Sequence, residues 1–548
     1  MVRGGGAIAW WRGAVIYQVY PRSFADSNGD GIGDLPGLIG RLDHIASLGV
    51  DAIWVCPFYP SPQRDFGYDV ADHCAVDPAF GSLADADRLI EAAHARGLRV
   101  LLDLVGGHTS DHHPWFEASR RSRSAPTADW YVWADPAPDG TPPNNWLSVF
   151  GGSAWAWEPR RRQYYLHHFL ASQPTLNLHN EAVVEALLGI ARFWLERGAD
   201  GFRIDAVDFL AHDPALRSNP PLPPAGGVPA KLFGLQQHLH DMMHPAAFAL
   251  LRRLRALLDA YPGAVALGEV SSQEGAFERI AAYTEGDAHL HMAYTLRPLR
   301  NGFDHPTVAA LLQDAIATCA RGWPCLSFSN HDVERAASRW APGGVADPRF
   351  TRLALGLLLS LPGSVCLYQG EELGLPDAVL REEEIRDPFG MTYWPEFKGR
   401  DGSRTPMPWR PDAPHAGFTT GTPWLPVPEA HRAMAAAAQE ADPHSTLHFC
   451  RHLLALRRAE PALRRGEAVP LALRAPLLGF VRREAARSLT VLCNLSPETV
   501  PLPPTLHGLA PLAGAVEGSA LPPFGFAILA PVSQAAAAWP VPEGALTG

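Results

Sequence analysis

The sequence predicts an α/β protein: a (β/α)8 barrel with a subdomain inserted after the third strand and an antiparallel β-domain at the C-terminus. Three observations carry this. Eight short apolar, β-rich runs recur over the first 370 residues, separated by helical patterns. Most are continuously apolar, which suits a parallel sheet covered on both faces. About ninety residues separate the third run from the fourth, far more than a crossover needs.

The runs are AVIYQVYP (14–21), AIWVCP (52–57), RVLLDLV (99–105), GFRIDA (201–206), AVALGEV (264–270), HMAYTL (291–296), PCLSFSN (324–330) and SVCLYQG (364–370). Amphipathic stretches lie between them. NEAVVEALLGIARFWLERG (180–198) opens on an Asn cap and ends at Gly198. Residues 1–105 then form the first part of the barrel, and 106–178, rich in Trp, Pro, Gly and His, the inserted subdomain. The rest of the barrel spans 179–465, with an excursion at about 371–430 after the eighth strand. Short strands such as LGFVRRE, SLTVLCNLS and FGFAILAP make 466–535 a small β-domain. The final SQAAAAWPVPEGALTG reads as a loose tail.

Composition narrows the function. The chain has 548 residues, 47% hydrophobic and 19% charged, with a net charge of −11. That balance disfavours binding to phosphate backbones, so nucleic acid is not an expected partner. The 16 Trp and 12 Tyr would serve a core and also stack on flat sugar faces. Seven cysteines without a CxxC argue against a disulfide framework or a zinc site. The N-terminal MVRGGGAIAWWRGAV lacks a signal-peptide apolar region, and no apolar run is long enough to span a membrane. The expectation is a cytoplasmic monomer or homodimer acting on a small-molecule substrate.

Barrel enzymes place their chemistry at the C-terminal ends of the strands. There the third strand brings Asp103 and His108, the fourth Arg203 and Asp205, the fifth Glu269, the seventh His331 and Asp332. Arg203 and Asp205 share strand parity and point to one face. Asp205 beside a guanidinium is expected to have a lowered pKa, and Glu269 among other acids a raised one. Two carboxyls separated in this way suit glycoside cleavage, one attacking the anomeric carbon and the other protonating the leaving oxygen. A structural ion pair would explain one strand end, but not four together.

DSNGDGIGD (26–34) places oxygen donors at Asp26, Asn28, Asp30 and Asp34, with the Ile32 carbonyl between them. The spacing resembles the first part of a calcium loop, without the twelfth-position Glu, where Gly37 stands. Structural Ca²⁺ is the expected ion and Mg²⁺ the alternative. An Asx-rich turn is the simpler reading.

GFRIDAV, GEV, FSNHDVER, LYQGEELGLP, GRDGSRTPMPW and SPQRDFGYD together resemble the α-amylase superfamily of retaining glycoside hydrolases (family 13), within it the α-glucosidase and oligo-1,6-glucosidase branch. The resemblance covers nearly the whole chain. It implies Asp205 as nucleophile, Glu269 as general acid/base and Asp332 as the third acid, gripping sugar hydroxyls. Arg203, His108 and His331 would line the same subsite, and Tyr68 would stack beneath the glucose ring. Asp65 and Arg404 would pair around a terminal glucose and close one end, making the enzyme exo-acting. Phe150 and Phe169 would flank the aglycone site, and 26–34 would be the family's metal loop. The implied activity is an exo-acting retaining α-glucosidase on short oligosaccharides or α-glucosides, with transglucosylation. The alternative is a dedicated transglucosylase or sucrose-isomerising enzyme. Two positions depart from the family pattern: Gly107 stands in the usual Asn place, and Thr175 replaces the Asp of QPDLN. The small Ala206 after the nucleophile accompanies α-1,4 activity in relatives.

Overall fold

The computed structural model describes residues 9–223, 231–272, 274–296, 298, 302–344 and 346–535; the tail beyond Ala535 lies outside the described residues. All eight expected runs contain barrel strands: β1 Val15–Val19, β2 Ala52–Val55, β3 Arg99–Leu104, β4 Gly201–Ile204, β5 Val265–Val270, β6 Met292–Thr295, β7 Cys325–Leu326 and β8 Ser364–Tyr368. They form one parallel sheet in the order β7-β8-β1-β2-β3-β4-β5-β6. A parallel bridge between Ala293 and Pro324 closes the ring.

Strand alternation sorts side chains into two buried layers. Ile16, Trp54, Leu101, Leu267, Met292 and Tyr368 fill the barrel interior. Val15, Tyr17, Ile53, Val100 and Phe202 face outward to the helices. The helix Glu181–Glu196 is capped by Asn180, whose side chain accepts from Ala182 N, and lays Val184, Leu187, Ala191 and Trp194 on the sheet.

Three excursions rise from the C-terminal ends of the strands. The first, between β3 and β4, carries a three-stranded antiparallel sheet of Trp133–Ala134, Gln163–Leu166 and Trp155–Glu158. The second, about 210–246 after β4, is not evident in the sequence because it has no periodic pattern. Polar side chains tie it to the first: Asn145 Nδ2 donates to Asn219 O (2.8 Å), and Asn219 N returns a bond to Asn145 Oδ1 (2.8 Å). The third follows β8 and contains Asp387, Arg400 and Arg404. Beyond it, five antiparallel strands form the C-terminal sheet, including Leu477–Glu484, Arg487–Asn494 and Phe526–Pro531. Buried Arg482 fastens this sheet to the barrel by donating to Ser360 O (2.6 Å) and Gly466 O (2.9 Å). Among the described residues, no helix is long and apolar enough to cross a membrane.

Gly201 opens β4 with φ +134°, where a Cβ would lie 1.9 Å from the Val265 carbonyl oxygen. Gly201→Ala is therefore expected to destabilise the protein by at least about 3 kcal/mol, by combining backbone strain with a clash against a rigid neighbour. Urea or thermal unfolding checks this.

Candidate active site

The register of β3 and β4 sets Asp103 directly beside Arg203. Arg203 is fully buried and presents its fork to the C-terminal mouth of the barrel. Its Nη1 donates to Asp103 Oδ1 (2.8 Å) and Asp205 Oδ1 (2.5 Å), and its Nη2 donates to Glu269 Oε2 and Tyr294 OH (2.9 Å). Trp54 Nε1 (3.1 Å) and Tyr68 OH (3.0 Å) both donate to the other oxygen of Asp103. The chain turns left-handed at Ala206 (φ 43°), and its N–H then reaches Glu269 Oε2 (3.2 Å). Strain of this kind at a non-glycine residue persists where surrounding contacts enforce it.

A second charge cluster faces the first. Asp332 Oδ1 accepts from Arg400 Nη1 (3.1 Å) and Arg404 Nη2 (2.9 Å). Arg400 Nη2 also donates to Asp65 Oδ1 (2.7 Å) and Asp387 Oδ1 (2.7 Å). This corrects the expected Asp65–Arg404 pair: the partner of Asp65 is Arg400, the first arginine of GRDGSR. The turn Asp401–Arg404 sends both arginines toward Asp332, but Arg404 spends its Nε on the His331 carbonyl (2.6 Å).

The two clusters link six carboxyls (Asp65, Asp103, Asp205, Glu269, Asp332 and Asp387) to three guanidiniums (Arg203, Arg400 and Arg404). Three negative charges would remain if all were ionised, so retaining protons is favoured. Burial pushes Asp205 up to about 7 against the pull of Arg203, overturning the expectation of a lowered pKa. Burial likewise raises Glu269 to about 7, with Arg203 opposing and Asp205 and Asp332 adding to the rise. Burial raises Asp103 to about 6, again against Arg203. Asp332 behaves oppositely: burial would raise it, but His331, Arg400 and Arg404 together hold it well below the usual range.

The other expected site residues surround this centre. His331 is buried, its pKa lowered to about 3 by desolvation, and it stacks on Tyr68 (5.2 Å, 11°). His108 bonds the Tyr68 carbonyl through Nε2 (3.0 Å), and burial lowers its pKa to about 4. Phe169 packs on His108 and Phe209 (5.1 Å each), and Phe150 packs on Phe389 (4.6 Å). Gln173 Nε2 donates to Asp65 Oδ2 (2.9 Å) and lies 3.3 Å from His108 Nε2. Gln173, Arg400, Asp387 and Tyr294 were not singled out from the sequence. Arg400 had a signal, since it shares its motif with Arg404; Gln173 and Asp387 sit in loops whose approach no local pattern encodes. Thr175 bonds His168 Nδ1 (3.1 Å), and Gly107 gives its carbonyl to Leu176 N (3.0 Å).

The 26–34 loop winds around its own acids. Asp26 accepts from the N–H groups of Asn28 (2.9 Å), Gly29 (2.8 Å) and Gly31 (2.8 Å). Asp30 N donates to Asn28 Oδ1 and Ile32 N to Asp30 Oδ1, both at 2.8 Å. Asp34 caps the helix Leu35–Ile39 through Gly37 N (2.6 Å). The candidate ligand atoms are all oxygens, which fits a hard cation chemically, while both oxygens of Asp26 already accept two hydrogen bonds each, one of them from Thr419 Oγ1. Among the described residues, no group of three or more acidic, His or Cys side chains is arranged to hold a metal.

The model of the alpha-amylase catalytic domain matches residues 18–466. The chain belongs to the α-amylase family. It is 52% identical over 511 residues to a probable alpha-glucosidase of Rhizobium meliloti (strain 1021), covering 92% of this chain and 93% of that one. It is 36% identical over 528 residues to an oligo-1,6-glucosidase of Heyndrickxia coagulans, covering 90% and 93%. The crystal structure of XgtA, an alpha-glucosyl transfer enzyme, superposes with a TM-score of 0.91 at 50% identity, over 95% of this chain and 99% of that one. The chain is thus a glycoside hydrolase, and its own charged centre sits at the mouth of its barrel.

With Asp205 and Glu269 both raised, activity that depends on this pair has a definite pH profile. On an α-glucoside, kcat/KM is expected to fall on the acid side as the Asp205 pair takes up a second proton, and on the basic side as Glu269 loses its own. The acid limb therefore lies above the ordinary carboxylate range of about 4, with the optimum near neutrality. An optimum near pH 4 in a pH–rate profile would contradict this.

Proposed function

We propose that this α-amylase-family enzyme is an exo-acting retaining α-glucosidase that releases terminal α-D-glucose from short oligosaccharides or α-glucosides through a covalent glucosyl-enzyme. The supporting observation is that Asp205 and Glu269 both bond one guanidinium, that of Arg203. Sharing one guanidinium keeps the two carboxyls within a few ångströms of each other, as the ~5 Å separation of a retaining pair requires.

An Asp205 carboxylate oxygen bonds to the anomeric carbon as the glycosidic C–O bond breaks. The bonding pair stays on the leaving oxygen, which takes the Glu269 proton. Glu269, now a carboxylate, removes a proton from water; the water oxygen attacks the anomeric carbon and Asp205 leaves as carboxylate. Arg203 orients both acids and balances their charge. Asp332, held ionised by Arg400 and Arg404, binds sugar hydroxyls and helps distort the ring. Tyr68 stacks beneath that ring, while His108 and His331, both neutral, hydrogen-bond it. Asp65 and Arg400 close the far end of the pocket, so only a chain terminus enters. Phe150 and Phe169 flank the leaving group.

Likeness to an alpha-glucosyl transfer enzyme supports a second reading, in which an acceptor hydroxyl replaces water in the second step. Ala206 is small and leaves room beside the nucleophile, which favours α-1,4 linkages. That preference is modest, since one methyl changes discrimination by about 1–3 kcal/mol. We further assign a structural Ca²⁺ to Asp26, Asn28, Asp30, Ile32 O and Asp34, with Mg²⁺ as the competing ion.

Asp205→Asn is expected to lower turnover of an aryl α-glucoside by ~10⁴-fold or more while the circular dichroism spectrum is unchanged, as when other enzymes lose a nucleophile. Undiminished turnover would refute the assignment. A panel of maltose, isomaltose, sucrose, trehalose and kojibiose, with products resolved for transfer as well as glucose, separates the two readings. For the metal, Tm is expected to rise with CaCl₂, less with MgCl₂, and to fall with EGTA; an unmoved Tm would mean that backbone N–H groups alone hold the loop.

A further inference from the structure

Asp387 is fully buried and is separated from the reacting pair by Arg400. Three donors of Arg400 converge on it: the main-chain N (2.8 Å) and Nε (3.1 Å) reach Oδ2, and Nη2 (2.7 Å) reaches Oδ1. With Nε and one face of Nη2 occupied, the fork can turn only so that Nη2 also meets Asp65 and Nη1 meets Asp332. Asp387 is itself fixed, because its N–H donates to Asp401 Oδ2 (2.7 Å). Close packing removes slack: at Gly399 (φ +81°) a Cβ would lie 2.8 Å from Asp387 Oδ2 and 2.7 Å from Gly390 Cα. Asp387 Oδ1 also accepts from Phe389 N (3.2 Å), and Phe389 is the ring that packs on Phe150.

We propose that Asp387 is a positioning residue for glucose recognition: it locks the Arg400 guanidinium in the orientation that joins Asp65 to Asp332. The inference rests on the α-glucosidase reading. Without the second contact at Nε, Arg400 would be free to rotate and to pair with Asp65 or Asp332 alone. The sugar-binding pocket would then be unformed in part of the population, and apparent affinity would fall by that fraction. A buried carboxylate with only a packing role would cost stability but would not act through one particular arginine.

A double-mutant cycle on the intact enzyme separates the two roles, with Asp387→Asn, Arg400→Lys and the double variant assayed on an aryl α-glucoside. In the wild-type background Asp387→Asn is expected to raise KM about tenfold with a much smaller change in kcat. In the Arg400→Lys background the same substitution should change KM less than twofold. The acid limb of the kcat/KM profile should also move to lower pH in Asp387→Asn, since removing a negative neighbour makes the remaining carboxyls easier to ionise. Equal KM effects in both backgrounds, or an unmoved acid limb, would overturn the proposal. If Asp387→Asn folds poorly, Asp387→Glu provides the same test, since it keeps the charge but displaces the fork: it should raise KM and leave the acid limb in place. A wild-type protein inert on α-glucosides would instead reject the parent reading. In that case loss of the D-glucose-induced rise in Tm in Asp387→Asn supports the lock, and an undiminished rise rejects it.

Discussion

Arg203 is a buried cation on which three carboxyls converge, and the mouth of the barrel is built around that contact. A guanidinium so deep would be costly alone, and so would each acid. Together they form a set in which every member has a partner and the total charge is still negative. One arginine cannot neutralise Asp103, Asp205 and Glu269, so the set tends to keep a proton. Where that proton sits is the chemical question the site poses, and the contacts bear on it. Asp103 is anchored by Trp54 and Tyr68 from behind, whereas Asp205 and Glu269 face the opening.

The second cluster is built differently. Two arginines meet Asp332, and a third acid, Asp387, locks one of them. The two guanidiniums on Asp332 keep it ionised beside neighbours whose pKa burial raises. Carboxyls a few ångströms apart thus hold their protons differently because of how many guanidiniums each one touches. The barrel supplies the first cluster from adjacent strands. The arginines of the second, and Asp387, come from the excursion after β8, which is why its geometry depends on loop packing around Gly390 and Gly399.

What the sequence revealed follows the same division. Strands read well because their apolar runs are continuous and their spacing regular; all eight were found, down to the two-residue β7. The position of Asp205 and Glu269 at the barrel mouth is legible because strand parity and the strand-end rule place them there. The excursion after β4 had no periodicity and was missed. The choice between Arg400 and Arg404 also failed, since two arginines in one turn differ only in what their surroundings leave free. The raised pKa of Asp205 was misjudged for a related reason: adjacency to Arg203 is visible in GFRIDA, but the sharing of Arg203 with Asp103 and Glu269 arises only when three strands come together.

Retaining displacement requires Asp205 and Glu269 to lie close enough that the Asp205 carboxylate attacks the sugar directly and water enters only afterwards. Proton NMR of the sugar released in the first minutes of reaction on an α-glucoside tests this most directly. The α-anomer of glucose should appear first and equilibrate slowly to the β form. If the β-anomer appears first, water attacks directly, and the arrangement described around Arg203 does not perform the proposed displacement.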